Sequence, residues 1–253
     1  MRRIMRERLG RDDRGTTLTE TLVVMVIMSI VVITTASLTI GITRTTAQNS
    51  TRQDQIDSAR TSVERVSKTV RTSVRPSQLL SGCAGACLDA SAFMSGSTLS
   101  MKFFANLDNV NAAVGPSQVS YTVATSGADA GVLLERVQVP DPVSPTSNGW
   151  VYCDPDASGA STECKKRLTV RRYASGVDTS KPVFTYWGAD GGQLIPGGSG
   201  ALSAADLKKV IAVEVTLKVS SSRPNSPGPT TYIQRITLPN AQAFVQQGED
   251  STP

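Results

Sequence analysis

From Leu22 to Ile42 the chain reads LVVMVIMSIVVITTASLTIGI, 21 residues without a charge. As a helix this stretch is roughly 32 Å long, the thickness of a bilayer's hydrocarbon core. It is a single uninterrupted apolar block in a chain of 253 residues, and the remainder is polar, rich in Ser and Thr and broken by short turns. Just upstream, Met1 to Gly15 hold Arg2, Arg3, Arg6, Arg8, Arg11 and Arg14 against three acids. By the positive-inside rule these arginines keep the leader in the cytoplasm and send the C-terminal part outward. A secretory signal differs, because its apolar region is about 7–15 residues and ends in small residues at a cleavage site. Here the far end, Thr39-Ile-Gly-Ile-Thr, offers no Ala-x-Ala site, so the block is expected to stay in the mature chain.

Glu20 sits at the lip of the apolar run, in Gly15-Thr-Thr-Leu-Thr-Glu-Thr-Leu22. A carboxylate at membrane depth costs a few kcal/mol unless it is paired or neutralised. One reading makes Glu20 a first-turn acid favoured by the helix dipole near the headgroups. The other starts from Gly15–Thr16, an unhindered bond between a basic leader and a helix. Cleavage there creates an ammonium at Thr16, one turn from Glu20. A neighbouring subunit shifted along a filament axis could offer its own ammonium to the same carboxylate and so set the register of packed helices.

Gly15 followed by Thr-Thr-Leu-Thr-Glu and a long apolar helix resembles the type III signal of type IV pilins and type II secretion pseudopilins. The resemblance covers about 30 residues. It implies that a membrane prepilin peptidase cuts after Gly15 and methylates the new N-terminus at Thr16, where the family prefers Phe. It also implies that Glu20, at mature position five, guides assembly with other pilin subunits.

The helix is expected to continue beyond the membrane. Ile56, Ala59, Val63, Val66, Val70 and Val74 recur at intervals of three and four, with Arg52, Asp54, Asp57, Arg60, Glu64, Arg65, Lys68 and Arg71 around them. Pro76 should stop it near Val74 or Arg75. Such a stripe needs a partner. Period-two stretches supply one: residues 98–105, 118–124, 132–139, 150–152, 168–173, 183–187, 209–220 and 231–238 are predicted strands. Pro140-Asp-Pro, Ser147-Asn-Gly, Asp190-Gly-Gly and the Pro/Ser-rich 221–230 separate them as turns. We expect one antiparallel sheet packed on the stripe, without a second domain. In outline this head resembles the minor pilins of the W type and the J-type minor pseudopilin. The resemblance lies in Val119–Val123, Leu134-Glu135-Arg136, Phe184-x-Tyr186 with Asp190-Gly191, and the closing Leu238-Pro239-Asn240.

Composition narrows the chemistry. There is no His, so His-based acid–base catalysis and His metal sites are excluded. The net charge is +5, but beyond Gly15 only 20 basic and 18 acidic residues remain, so the basicity mostly reflects topology. Cys83, Cys87, Cys153 and Cys164 all follow the apolar block, and in an exported domain they read as two disulfides with three possible connectivities. The local pairs Cys83–Cys87 and Cys153–Cys164 are favoured, contributing about 2 and about 3 kcal/mol by loop entropy. Four zinc thiolates are the rival reading, weakened by the loose second spacing.

Asp154-Pro-Asp156-Ala-Ser158-Gly159 opens like a calcium loop, but Lys165 stands where the twelfth-position Glu belongs. A turn closed by Cys153 and Cys164 is the simpler reading, and no metal or other cofactor is expected. The run Lys165-Lys-Arg-Leu-Thr-Val-Arg-Arg172 could grip phosphate, yet its alternation reads better as a half-buried strand with a solvated basic face, leaving DNA a remote partner. Gly191–Gly200 lacks the strand-to-helix context of a phosphate cradle. No catalytic constellation stands out.

The resulting expectation is an α+β, pilin-like chain. Residues 1–15 are the leader, 16–43 the membrane and assembly helix, 44–75 an amphipathic helix packed on the head, and 76–253 a β-rich extracytoplasmic head. It would be a non-enzymatic minor filament subunit in the cytoplasmic membrane, with the prepilin peptidase and sister subunits as partners, later carried into an extracellular filament. The alternative is a signal-anchored extracellular ligand-binding domain that never polymerises.

Overall fold

A computed structural model describes residues 16–79, 90–107, 115–141, 149–221 and 226–240. Gly15, Cys83 and Cys87 lie outside these residues. The chain divides into two compact units, Met1–Ser50 and Thr51–Pro253. Helix α1 (Leu18–Arg71, 54 residues) contributes to both.

In the first unit α1 is the described element, and every residue of it is exposed. From Leu22 to Ile42 the large apolar side chains bury nothing against their own chain; Met25, for example, is 72% exposed. Four of the five hydroxyls in this stretch, all but that of Ser37, are paired back onto the helix. Ser29 donates to the Met25 carbonyl (2.6 Å), Thr35 to Val31 (2.7 Å) and Thr39 to Thr35 (2.8 Å). An uncharged surface with nearly all its polar groups satisfied internally suits a helix in lipid. The segment is long and apolar enough to cross a membrane.

In the second unit the expected stripe becomes core. Ala59, Val63, Val66 and Val70 are fully buried and Val74 nearly so. Ile56 departs from the expectation at 39% exposure. The stripe turns polar at that level: Gln55 is buried instead, and its Oε1 accepts from Thr230 (3.2 Å).

The helix ends at Arg71, one turn before the proline-based expectation. Long-range pairing ends it. Asn106 N–H donates to the Thr72 carbonyl (2.9 Å), Ser73 bridges to Ala105, and Val74 N–H donates to the Phe104 carbonyl (3.0 Å). Arg75 is already extended, as a residue before proline prefers.

Among the described residues nine strands form two antiparallel sheets, where the sequence suggested one. Strands β1 (Phe93–Gly96), β2 (Ser100–Ala105), β3 (Ser117–Val123), β4 (Leu133–Gln138) and β5 (Leu168–Arg172) make a five-stranded meander in that order. Strands β6 (Phe184–Trp187), β7 (Gln193–Leu194), β8 (Ala212–Val219) and β9 (Thr230–Thr237) make the second sheet, ordered β7-β6-β8-β9. Alternation tells which side chains face inward, not which strands pair, so the split is not written in it. One hydrophobic core joins both sheets to α1 through Phe103, Val119, Tyr121, Phe184, Val215 and Ile236. The sheets meet where Val183 and Phe184 N–H groups donate to the Thr98 carbonyl (2.8 and 3.0 Å). There the Tyr186 ring lies on Gly96, where a Cβ would approach it to 2.8 Å.

Other expectations shift. Residues 150–152 form no strand. Strand β5 is almost entirely exposed rather than half-buried, with Val170 at 51%, because it is the edge strand of its sheet. Two short helices, α2 (Thr162–Lys166) and α3 (Ala204–Lys209), start at Ser161 and Ser203, whose hydroxyls accept from Cys164 and Asp206 N–H.

Candidate functional site

The two ends of α1 carry the groups of interest. At its start Thr17 acts as the cap, its Oγ1 accepting from Glu20 N–H (3.3 Å) while its carbonyl accepts the same N–H (3.0 Å). Glu20 therefore stands in the first turn of the helix and is exposed, directly below the uncharged segment. Thr16 lies just outside the cap. A carboxylate here complements the exposed N–H groups of the helix end and is free to accept a cation from outside its own chain.

Near its C-terminal end α1 is held to the head by an ionic cluster around a buried carboxylate. Tyr121, Glu135 and Arg171 occupy one cross-strand row of β3, β4 and β5. Glu135 is fully buried on the inward face. It accepts from Tyr121 Oη (2.5 Å), Arg65 Nε (3.1 Å) and, on its other oxygen, Tyr173 Oη (3.1 Å) and Arg171 (3.3 Å). Burial alone would raise this carboxyl, but the hydrogen bonds from Tyr121 and Arg65, with the Arg65 charge, outweigh it and hold it below the usual range. Burial, followed by the bond to Glu135, pushes the Tyr121 phenol far above its ordinary value, so it remains a donor. Arg65 is the helix's contribution, and through it one carboxylate fixes the rotation and height of α1 on the sheet.

Sequence reasoning missed this cluster, placing Arg65 among solvated charges. The available signal was a Glu at an inward position of an alternating strand, Leu133-x-Glu135-x-Val137.

The loop after β4 is closed by a Cys153–Cys164 disulfide, with Cα atoms 5.9 Å apart, as expected. Both sulfurs are thereby consumed, which removes the reading of four zinc thiolates. Asp154 and Asp156 do not form a cation cage. Asp154 Oδ1 accepts from Asp156 N–H (3.0 Å), and Asp156 pairs with Arg136 (2.5 Å). Among the described residues no group of three or more His, Cys, Asp or Glu side chains gathers to hold a metal.

The basic run is interleaved with acids. Lys166 pairs with Glu163 (2.9 Å), Arg167 with Asp141 (3.4 Å), Arg171 with Glu135 (3.3 Å) and Arg172 with Asp129 (2.9 Å). The exposed pairs among these contribute little to stability, but together they break up a bare phosphate-gripping stripe.

No protein-family model matches the chain, and no characterised protein or solved structure is similar enough to count as a match. What is established is an α+β chain in which one long helix carries an exposed apolar segment, a first-turn acid and a packed half that supports two antiparallel sheets.

Proposed function

We propose that the chain is a minor subunit of a type IV pilus or type II secretion-like filament. In this reading it is cut after Gly15 by a prepilin peptidase, anchored in the cytoplasmic membrane by α1, and assembled through that helix with sister subunits. One observation carries the proposal: an apolar helical surface that its own chain leaves wholly uncovered, with a single acid at its lip.

The physical argument concerns what covers that surface. Lipid can do so before assembly, and the same segments of neighbouring helices can do so afterwards, so moving from bilayer to bundle keeps the surface out of water. Glu20 gains its partner only in the second state, where the Thr16 ammonium of a neighbour neutralises it. The Arg65–Glu135 pair is compatible with the scheme, because it ties the C-terminal half of the helix to the head.

Replacing Gly15 with Phe is expected to leave the precursor uncut, and unchanged processing would remove the peptidase from the scheme. Glu20→Leu should keep the protein in the membrane fraction while abolishing its recovery in sheared filaments. Normal incorporation of that variant would favour a tethered head that never polymerises.

A further inference from the structure

The outward face of the five-stranded sheet carries a cleft that the filament reading does not use. Lys102, Ser120 and Arg136 are register partners across β2, β3 and β4, and Gln118 and Gln138 lie two residues along on the same face. The disulfide-closed loop rises beside them, so that Trp150, Tyr152, Asp154 and Asp156 form the other wall of a cavity of about 480 Å³. That volume falls within the range of small-ligand sites, roughly 300–1,000 Å³.

Three polar groups on its floor lack partners. Gln118 is buried to 8% exposure, yet its side-chain amide makes no hydrogen bond among the described residues. Ser120 Oγ and Lys102 Nζ are likewise without a hydrogen bond or ion pair among them. Burial, then the nearby Arg136, lowers the Lys102 ammonium below the usual lysine value. The Gln118 amide atoms open onto the cavity, whereas Trp150 Nε1, on its wall, is a buried N–H without a partner among the described residues, and a ligand acceptor that reached it would regain free energy.

The walls are fixed before any ligand arrives. Tyr152 donates to the Pro116 carbonyl and packs on Phe104 with ring centroids 6.0 Å apart. Gln138 donates to the Cys153 carbonyl, and Arg136 is held by Asp156.

We infer that this cleft binds a neutral saccharide of one or two rings. Two cations and two carboxylates line it, so it has no net formal charge to favour an anion such as a nucleic-acid phosphate. It instead offers donors and acceptors side by side, which suits hydroxyl groups that are both at once. Trp150 and Tyr152 supply the aromatic surface that covers the C–H face of a sugar ring. The inference is independent of whether the chain polymerises.

The test uses the full chain in a detergent without a sugar headgroup, in a Trp187→Phe background so that Trp150 is the only tryptophan. Glucose, galactose, N-acetylglucosamine and their β-linked disaccharides are titrated, with glucuronic acid and oligo-dT as competing classes. At least one neutral sugar is expected to change Trp150 emission saturably, with half-saturation at or below about 1 mM. Gln118→Ala and Lys102→Met should each weaken that binding at least about tenfold, at unchanged melting temperature. Should Gln118→Ala fail to fold, the partly exposed Lys102 carries the same comparison. Absence of any neutral-sugar response, binding only of glucuronic acid or oligo-dT, or binding indifferent to both substitutions would overturn the inference.

Discussion

At the scale of single residues, Glu135 decides most. It is a fully buried carboxylate whose four contacts come from α1, β3, β5 and the residue just after β5. Its removal leaves two tyrosine hydroxyls and the partly exposed Arg65 and Arg171 without their acceptor, so Glu135→Ala should destabilise the head by about 1–3 kcal/mol in denaturant titrations. Tyr121→Phe removes one donor and should cost about 1–3 kcal/mol. The acid limb follows from sign. Because the folded protein holds the carboxyl below its ordinary value, its stabilisation is complete above the unfolded carboxyl pKa and is lost as pH falls through the folded one. Stability measured from pH 6 down to pH 2 should therefore fall less steeply in Glu135→Gln than in the native chain. Gly176 makes a second prediction. Its φ is +71°, and a Cβ there would stand 2.1 Å from the Ser220 carbonyl oxygen, so Gly176→Ala should cost roughly 2 kcal/mol or more and lower the melting temperature.

At the scale of elements, the long helix and most strands were legible because each follows a simple period. The predicted spans 98–105, 118–124, 132–139 and 231–238 cover or nearly cover β2, β3, β4 and β9. Signals failed where the period is broken or too short. Strand β1 carries a register shift between Phe93 and Ser95, so its burial does not alternate, and β7 is only two residues within a glycine-rich run. Helix α1 ended early because β2 captures the backbone from Thr72 to Val74, a partner 30 residues away that no local rule reveals. The Cys153–Cys164 pair was readable from spacing. Opening it with Cys153→Ser and Cys164→Ser should cost about 3 kcal/mol by loop entropy, measured as a lower denaturation midpoint with a slope that is unchanged or slightly steeper. The ionic cluster stayed hidden because a Glu in a strand carries no mark of what lies opposite. Its row, Tyr121–Glu135–Arg171, exists only once the strands are in register.

At the scale of the whole molecule, the chain joins an uncovered apolar helix to a well-packed head, and each half has a different environment to satisfy. The head closes its own core. The apolar segment does not, since every residue from Leu22 to Ile42 remains exposed within the chain, and it is long and apolar enough to cross a membrane. The proposed function rests on the mature chain beginning where the basic leader ends, one turn ahead of Glu20. N-terminal sequencing of the protein extracted from membranes tests this most directly. A start at Thr16, reading Thr-Thr-Leu-Thr-Glu, is the predicted result; a chain still carrying Met1, or one beginning beyond Ile42, would contradict the account.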